Sequence, residues 1–264
     1  MSFVIMARDI VKNLKFKKQP GKFDPAKFAE QLNEAYLKLK RPDGFTQKKS
    51  FSPSSLGYGY GNCPRYWYMA FTGEEFVDDN DAQAVANMQY GTEAHARLQK
   101  MISEFPEYRD QEVEILNEYP PIRGFADLVM DYGVNIVGEI KTAKQEVWDQ
   151  RQVTMASSPN HMLQLLVYMH IKEFDEGFFV YENKNTQEIL VIPITMNDKN
   201  KKIVNDLFMW MREVYDNFKD GALPMRPFAK TSSACKYCNV KRACWAKTAG
   251  IGTVQIEPYE VPKI

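Results

Sequence analysis

IRGFADLVMD (Ile122–Asp131), followed across Tyr132-Gly133-Val134 by NIVGEIK (Asn135–Lys141), is the stretch that decides how this chain folds. Two apolar-rich runs separated by a glycine turn predict strands Ile122–Asp131 and Asn135–Lys141 joined as a hairpin. Residues two apart on a strand face the same way, so Glu139 and Lys141 project together and Ile140 turns into the core. Asp127 enters an otherwise apolar strand, and a charge is costly to bury alone. Two carboxylates and an ammonium at the centre of a sheet make sense if a divalent cation binds there.

Outward from this hairpin the elements come in a regular order. A third strand is expected at Glu112–Leu116, and ahead of it a helix over residues 83–105. On that helix Val85, Met88, His95, Leu98 and Ile102 share one face at three- and four-residue steps. Beyond the hairpin come a helix at Asn160–Lys172, strands at Gly177–Glu182 and Glu188–Ile194, and a long helix at Asp198–Lys219. The order α-β-β-β-α-β-β-α predicts an α/β fold, a mixed central sheet flanked by helices. Towards the N-terminus, Asp24-Pro25 opens a helix as an Asp cap followed by Pro at the first helical position. Phe28, Leu32, Tyr36 and Leu39 fall on one stripe, so this helix is expected to pack on something, and Pro42-Asp43-Gly44 to end it. Residues 1–50 read as a basic helical appendage and residues 51–264 as one domain. Ser52-Pro53-Ser54-Ser55 offers a further helix start, and the acidic residues from Glu74 to Asp81 read as a surface loop.

The formal net charge is +0, with 34 Lys/Arg against 34 Asp/Glu, but the balance is uneven along the chain. Residues 1–50 hold twelve Lys/Arg and five Asp/Glu, a surplus that could guide a polyanion, dock a protein partner, or simply be a solvated face. No apolar run approaches membrane-spanning length. Met1 to Ala7 are apolar, but Arg8 and Asp9 interrupt them too early for a secretory signal, so the expected location is the cytoplasm. There thiols stay reduced, and four cysteines favour metal over disulfides. No G-x-x-x-x-G-K-[ST] occurs, which excludes a recognisable P-loop motor.

The residue types around Glu139 suit phosphodiester cleavage. That reaction needs an activated water and neutralisation of the charge gathering on phosphorus, which Mg²⁺ or Mn²⁺ on hard oxygen ligands supplies. Asp127 and Glu139 would be carboxylate ligands, the Ile140 carbonyl could add an oxygen, and Lys141 would hold the water or offset developing charge. Each piece also has an ordinary reading. Glu139 and Lys141 could be a surface ion pair, His95 a hydrogen-bonded core histidine, and Gln164 with Tyr168 a packing face. Aromatics gather near Cys63 (Tyr58, Tyr60, Tyr66, Trp67, Tyr68, Phe71), where they could stack on a single strand beside Arg65 or simply fill a core. The thiols are Cys63 alone and Cys235, Cys238 and Cys244 as C-x2-C-x5-C. Four thiolates suit a tetrahedral zinc or an iron–sulfur cube.

Taken in order, Cys63-Pro64-Arg65, Gly91-x-x-x-His95, Gly124-Phe125-Ala126-Asp127, Glu139-Ile140-Lys141, Gln164-x-x-x-Tyr168 and C-x2-C-x5-C resemble the PD-(D/E)XK nucleases of the RecB type. Within these the chain is similar to the iron–sulfur subgroup that includes CRISPR-adaptation nucleases and the AddB nuclease domain. The resemblance runs from about Phe51 to Ala246. It implies a restriction-endonuclease-like core and Mg²⁺- or Mn²⁺-dependent cleavage of DNA, with an exonuclease on single strands or duplex ends expected. By position it implies His95, Asp127, Glu139 and Ile140 as metal ligands and Lys141 as the catalytic lysine. Gln164 and Tyr168 match the helix motif that orients the site and contacts nucleic acid. Arg65 would also touch DNA. Cys63, Cys235, Cys238 and Cys244 match the ligands of a [4Fe-4S] cluster, which the resemblance favours over zinc. The pattern departs from the family in carrying Ala126, not proline, before Asp127. The alternative is a non-catalytic nucleic-acid-binding or adaptor protein that keeps the fold.

Overall fold

The computed structural model describes residues 23–40, 43–45, 47–246 and 249–262. The apolar start Met1–Ala7, the basic residues up to Lys22, and Pro42 lie outside these. The helix predicted from Asp24-Pro25 forms as α1 (Pro25–Leu37), with Asp24 Oδ1 accepting from Ala26 N–H at 2.9 Å. It packs, as its stripe predicts, against the helix Ala82–Ile102, but loosely. No residue of α1 is buried, and Phe28 and Leu32 are each 50% exposed. A stripe of the right period predicts an amphipathic helix that packs, but not how deeply it is buried.

The chain joins the core at Phe51, which is fully buried and whose backbone bonds Pro121 and Arg123. Two short helical pieces follow, a 3₁₀ turn at Pro53–Ser55 and α2 (Pro64–Thr72), capped by Cys63 and ended by Gly73 in the left-handed region. The acidic loop reaches α3 (Ala82–Ile102), whose first turn is capped by Asp81 Oδ1 accepting from Ala84 N–H at 2.8 Å. Phe76 and Val77 within that stretch are buried, and Glu75–Phe76 pairs antiparallel with Gly44–Phe45, so it is only in part the surface loop expected.

Five strands form one sheet in chain order: β1 (Tyr108–Asn117), β2 (Ile122–Asp131), β3 (Asn135–Ala143), β4 (Glu176–Asn183) and β5 (Ile189–Thr195). All neighbours are antiparallel except β3 and β4, which run parallel. A parallel pair needs a crossover, and two helices make it: α4 (Gln145–Thr154) and α5 (Pro159–Lys172). The predicted hairpin forms, with Gly133 at φ 85° and Asp131 Oδ1 accepting its N–H at 2.9 Å. Sequence periodicity did not reveal α4, because only Trp148 and Arg151 on it are buried. The long helix α6 (Asp198–Lys219) matches its predicted bounds.

The two faces of the sheet are covered unequally. On one lies the larger core, where α5 is buried from Met162 to Met169 and α6 and α2 pack behind it. On the other, α3 alone seats Leu98 against Leu128, Ile140 and Val180. The result is the mixed sheet flanked by helices that the element order predicts.

Candidate active site and cysteine module

The sheet forks at its centre. β2 and β3 pair from Asp131↔Asn135 up to Leu128↔Gly138 and no further. Beyond that rung β2 continues on β1 alone and β3 on β4 alone. The first residues past the last rung are Asp127 on β2 and Glu139 on β3. Ile140 N–H, released from a partner on the β2 side, donates to Asp127 Oδ2 at 2.7 Å. The fork therefore buries two carboxylates, with Asp127 7% and Glu139 1% exposed.

Glu139 Oε1 accepts from Lys141 Nζ at 2.5 Å and from Gln164 Nε2 at 2.6 Å, and Gln164 also donates to Tyr168 Oη at 3.2 Å. Glu139 Oε2 is buried with no hydrogen-bond partner. Burial pushes the Glu139 carboxyl up to about 7, with Lys141 pulling it down and Asp127 pushing it further up. An orphaned oxygen on such an acid is costly unless a further donor or a cation meets it.

α3 supplies His95, whose Nδ1 lies 3.4 Å from Asp127 Oδ2. Burial works against its charge, but the hydrogen bond and charge of Asp127 outweigh it and hold its pKa above the ordinary value. Two anchors that the sequence reading missed set the helix in place. Buried Glu182 on β4 receives Arg97 and the Tyr90 hydroxyl, the latter at 3.3 Å. Gln99, one turn after His95, donates to the Asp127 carbonyl at 3.1 Å and to Glu112 at 2.7 Å. Its position four residues beyond His95 was the available signal.

Thus His95, Asp127, Glu139, Ile140, Lys141, Gln164 and Tyr168 come together at one fork. Among the described residues no three His, Cys, Asp or Glu side chains converge closely enough to cage a metal ion as they stand. Two expected nucleic-acid contacts do not reach a surface. Tyr168 is 1% exposed, its hydroxyl wedged under Gly124, where an added Cβ would lie 2.9 Å from it. Arg65 is fully buried, donating to the carbonyls of Pro224 at 2.6 Å, Ala249 at 2.7 Å and Gly250 at 3.0 Å. It is a clamp between α2 and the C-terminal segment, with no face left for a strand.

That clamp holds the cysteines. Cys63 caps α2, Cys235 lies in α7 (Ser233–Lys236) and Cys244 in α8 (Lys241–Trp245), with Cys238 between. All four are free thiols. Burial pushes Cys63 and Cys238 up to about 12 each, and every one of the other three thiols adds to the shift on Cys238. Gly59 lets this module close in, since a Cβ there would lie 2.9 Å from the Ala234 backbone. Arg226 bonds the Cys244 carbonyl at 2.6 Å. Of the neighbouring aromatics, Tyr66, Trp67 and Phe71 are core, whereas Tyr58 is 45% exposed.

Among solved structures the chain is similar to SSO0001 (TM-score 0.46, 20% identity, 83% of this chain and 97% of that one). It is also similar to LHK-Exo in complex with dAMP (TM-score 0.49, 16% identity, 73% and 93%). A further likeness is to LHK-Exo, an alkaline exonuclease from Laribacter hongkongensis (TM-score 0.48, 17% identity, 72% and 95%). A comparison with curated proteins returns no match. The family model of the PD-(D/E)XK nuclease superfamily matches residues 108–245, from the first strand of the sheet to the end of the cysteine module and just over half of the chain. This chain belongs to the PD-(D/E)XK nuclease superfamily.

Proposed function

We propose that this protein is a Mg²⁺- or Mn²⁺-dependent deoxyribonuclease of the RecB type, an exonuclease on single strands or duplex ends, with a [4Fe-4S] cluster as a structural clasp. The observation that carries the reading is the fork itself: Asp127 and Glu139 buried side by side, with Glu139 Oε2 unpartnered. Hard carboxylate oxygens fit a divalent cation, and His95, Asp127, Glu139 and the Ile140 carbonyl would hold it. When bound, the cation supplies Lewis acidity and an activated water.

The rest is the work of this chain's own groups. Lys141, now on Glu139, would turn its ammonium to the scissile phosphate and offset charge gathering there. Gln164 fixes Glu139 Oε1, and Tyr168 fixes Gln164. The nuclease unit runs from Phe51, where the chain enters the core. Cys63, Cys235, Cys238 and Cys244 offer a purely soft sulfur donor set, which suits iron–sulfur or zinc and not magnesium.

The test is cleavage of end-labelled linear DNA with Mn²⁺ by the wild type, Asp127→Ala and Lys141→Ala. Metal-dependent cleavage lost in both variants is expected, with DNA binding by Lys141→Ala nearly intact because its role lies in the transition state. Cleavage unaffected by Asp127→Ala would defeat the reading. Products from 5′- and 3′-labelled strands, and parallel RNA substrates, assign polarity and sugar preference.

A further inference from the structure

Beside Lys141 lies a cationic corner that the cleavage chemistry does not use. Lys141 pairs across the parallel ladder with Tyr181 on β4. Over the Tyr181 ring, 4.1 Å from its centroid, sits the guanidinium of Arg151 from α4. Arg151 is only 7% exposed, and among the described residues it has no carboxylate partner. A guanidinium that is buried without a counter-charge is destabilising unless an anion joins it.

Two further groups lie beside Tyr181. His161, in the first turn of α5, has Nδ1 2.8 Å from the Tyr181 hydroxyl. Burial, then Lys141 and Arg151, hold this imidazole neutral. In the tautomer whose Nδ1 accepts the phenol proton, Nε2 carries the ring hydrogen and is a donor. Ser158, at the cap of α5, makes no capping bond, and its hydroxyl is buried beside that of Tyr181. The corner thus offers a guanidinium, an imidazole N–H and a hydroxyl, all donors and none acidic. Donor-only sites of this kind select tetrahedral oxyanions.

We propose that Arg151, Ser158, His161 and Tyr181 form a subsite for a second phosphate of the strand being cut, next to the one Lys141 meets. The inference rests on the nuclease reading and deepens it. The phosphate is either the terminal one of a strand end or the next internucleotide one, and these share the same chemistry. The corner sets where the strand lies along the fork and takes no part in bond breaking.

The test uses hexathymidylates carrying a phosphate at the 5′ end, at the 3′ end or at neither, cleaved with Mn²⁺ and bound with Ca²⁺ by the full chain. Arg151→Met is expected to raise KM and weaken binding about tenfold, the equivalent of one charge-assisted contact, with a much smaller effect on kcat. Arg151→Lys should recover part of the loss. Ser158→Ala removes one small hydroxyl beside that of Tyr181, so it is expected to keep the fold and still weaken binding a few-fold. A loss confined to one phosphorylated end assigns the terminal phosphate, whereas an equal loss on all three substrates assigns the internucleotide one. Unchanged KM and binding in folded Ser158→Ala and Arg151→Met overturns the subsite while leaving the nuclease intact. A wild type that cleaves none of the substrates removes the reading beneath it.

Discussion

Gln164 and Glu139 are joined across the boundary between α5 and the sheet: the amide donates to Oε1 at 2.6 Å, while Oε2 of the same carboxylate has no partner. One oxygen is held and the other presented. The arrangement aims a buried carboxylate without needing a second acid to do so.

Replacing Gln164 by Leu keeps the bulk and removes the amide. A hydrogen bond to a charged group contributes about 1.5–3 kcal/mol, so a loss of stability of that order, read as a lower melting temperature, is expected. Turnover should drop about tenfold or more, with KM little changed, because the aim of Glu139 is lost and not the grip on substrate. Steady-state kinetics beside a thermal melt decides it. Unaltered turnover in a destabilised variant would make Gln164 a packing residue only.

Gly124 and Tyr168 form the second support. A Cβ at position 124 would stand 2.9 Å from the Tyr168 hydroxyl and 3.0 Å from the ring. Gly124→Ala therefore forces the ring back and disturbs Gln164 above it. Overpacking of this kind typically costs about 1–3 kcal/mol. Tyr168→Phe deletes the nearest atom, so the double variant should be less damaged than the sum of the two singles. A strictly additive cycle would mean the close approach has no consequence.

His161 predicts an acid limb. Its folded pKa is pushed down to about 3 from an ordinary 6.5 by burial and two nearby cations. Between those values the unfolded chain binds the extra proton. The stability is therefore full above pH 6.5 and falls as pH drops towards 3, at a slope of up to about 1.4 kcal/mol per pH unit. Melting temperatures from pH 7 to pH 4 should decline more steeply in the wild type than in His161→Gln. Parallel curves would place the imidazole in contact with solvent.

Much of this was legible because the decisive residues repeat at the spacing of their own element. Glu139 and Lys141 two apart on a strand, and Gln164 and Tyr168 four apart on a helix, share a face by geometry alone. The fork was not legible, since it depends on where a ladder stops and no residue type marks that point. Arg65 and Tyr168 were read as strand contacts because Arg and Tyr serve both surfaces and cores. Their burial follows from segments that return far along the chain, Pro224 and Ala249 over Arg65, and Gly124 over Tyr168. The helix α4 escaped notice because just two of its side chains are buried. The stripe on α1 did find a partner in α3, but it leaves its apolar residues half exposed.

Cys63 and Arg65 stand two residues apart and face the same distant part of the chain, Arg65 bonding three of its carbonyls and Cys63 lying near its thiols. Their losses should differ in kind. Arg65→Met leaves those carbonyls without their buried donor, and breaking a buried charged network costs about 3–5 kcal/mol whatever the cysteines hold. Cys63→Ala creates a small hole, so without a cluster its cost is that of a minor truncation. With a cluster, the binding free energy of the group is part of the folding free energy. Protein purified without oxygen should then be brown, with broad visible absorption that Cys63→Ala abolishes together with a large drop in melting temperature. A colourless wild type containing one zinc would replace iron by zinc in the same clasp. A colourless, metal-free wild type whose melting temperature ignores Cys63→Ala would leave Arg65 as the clasp on its own.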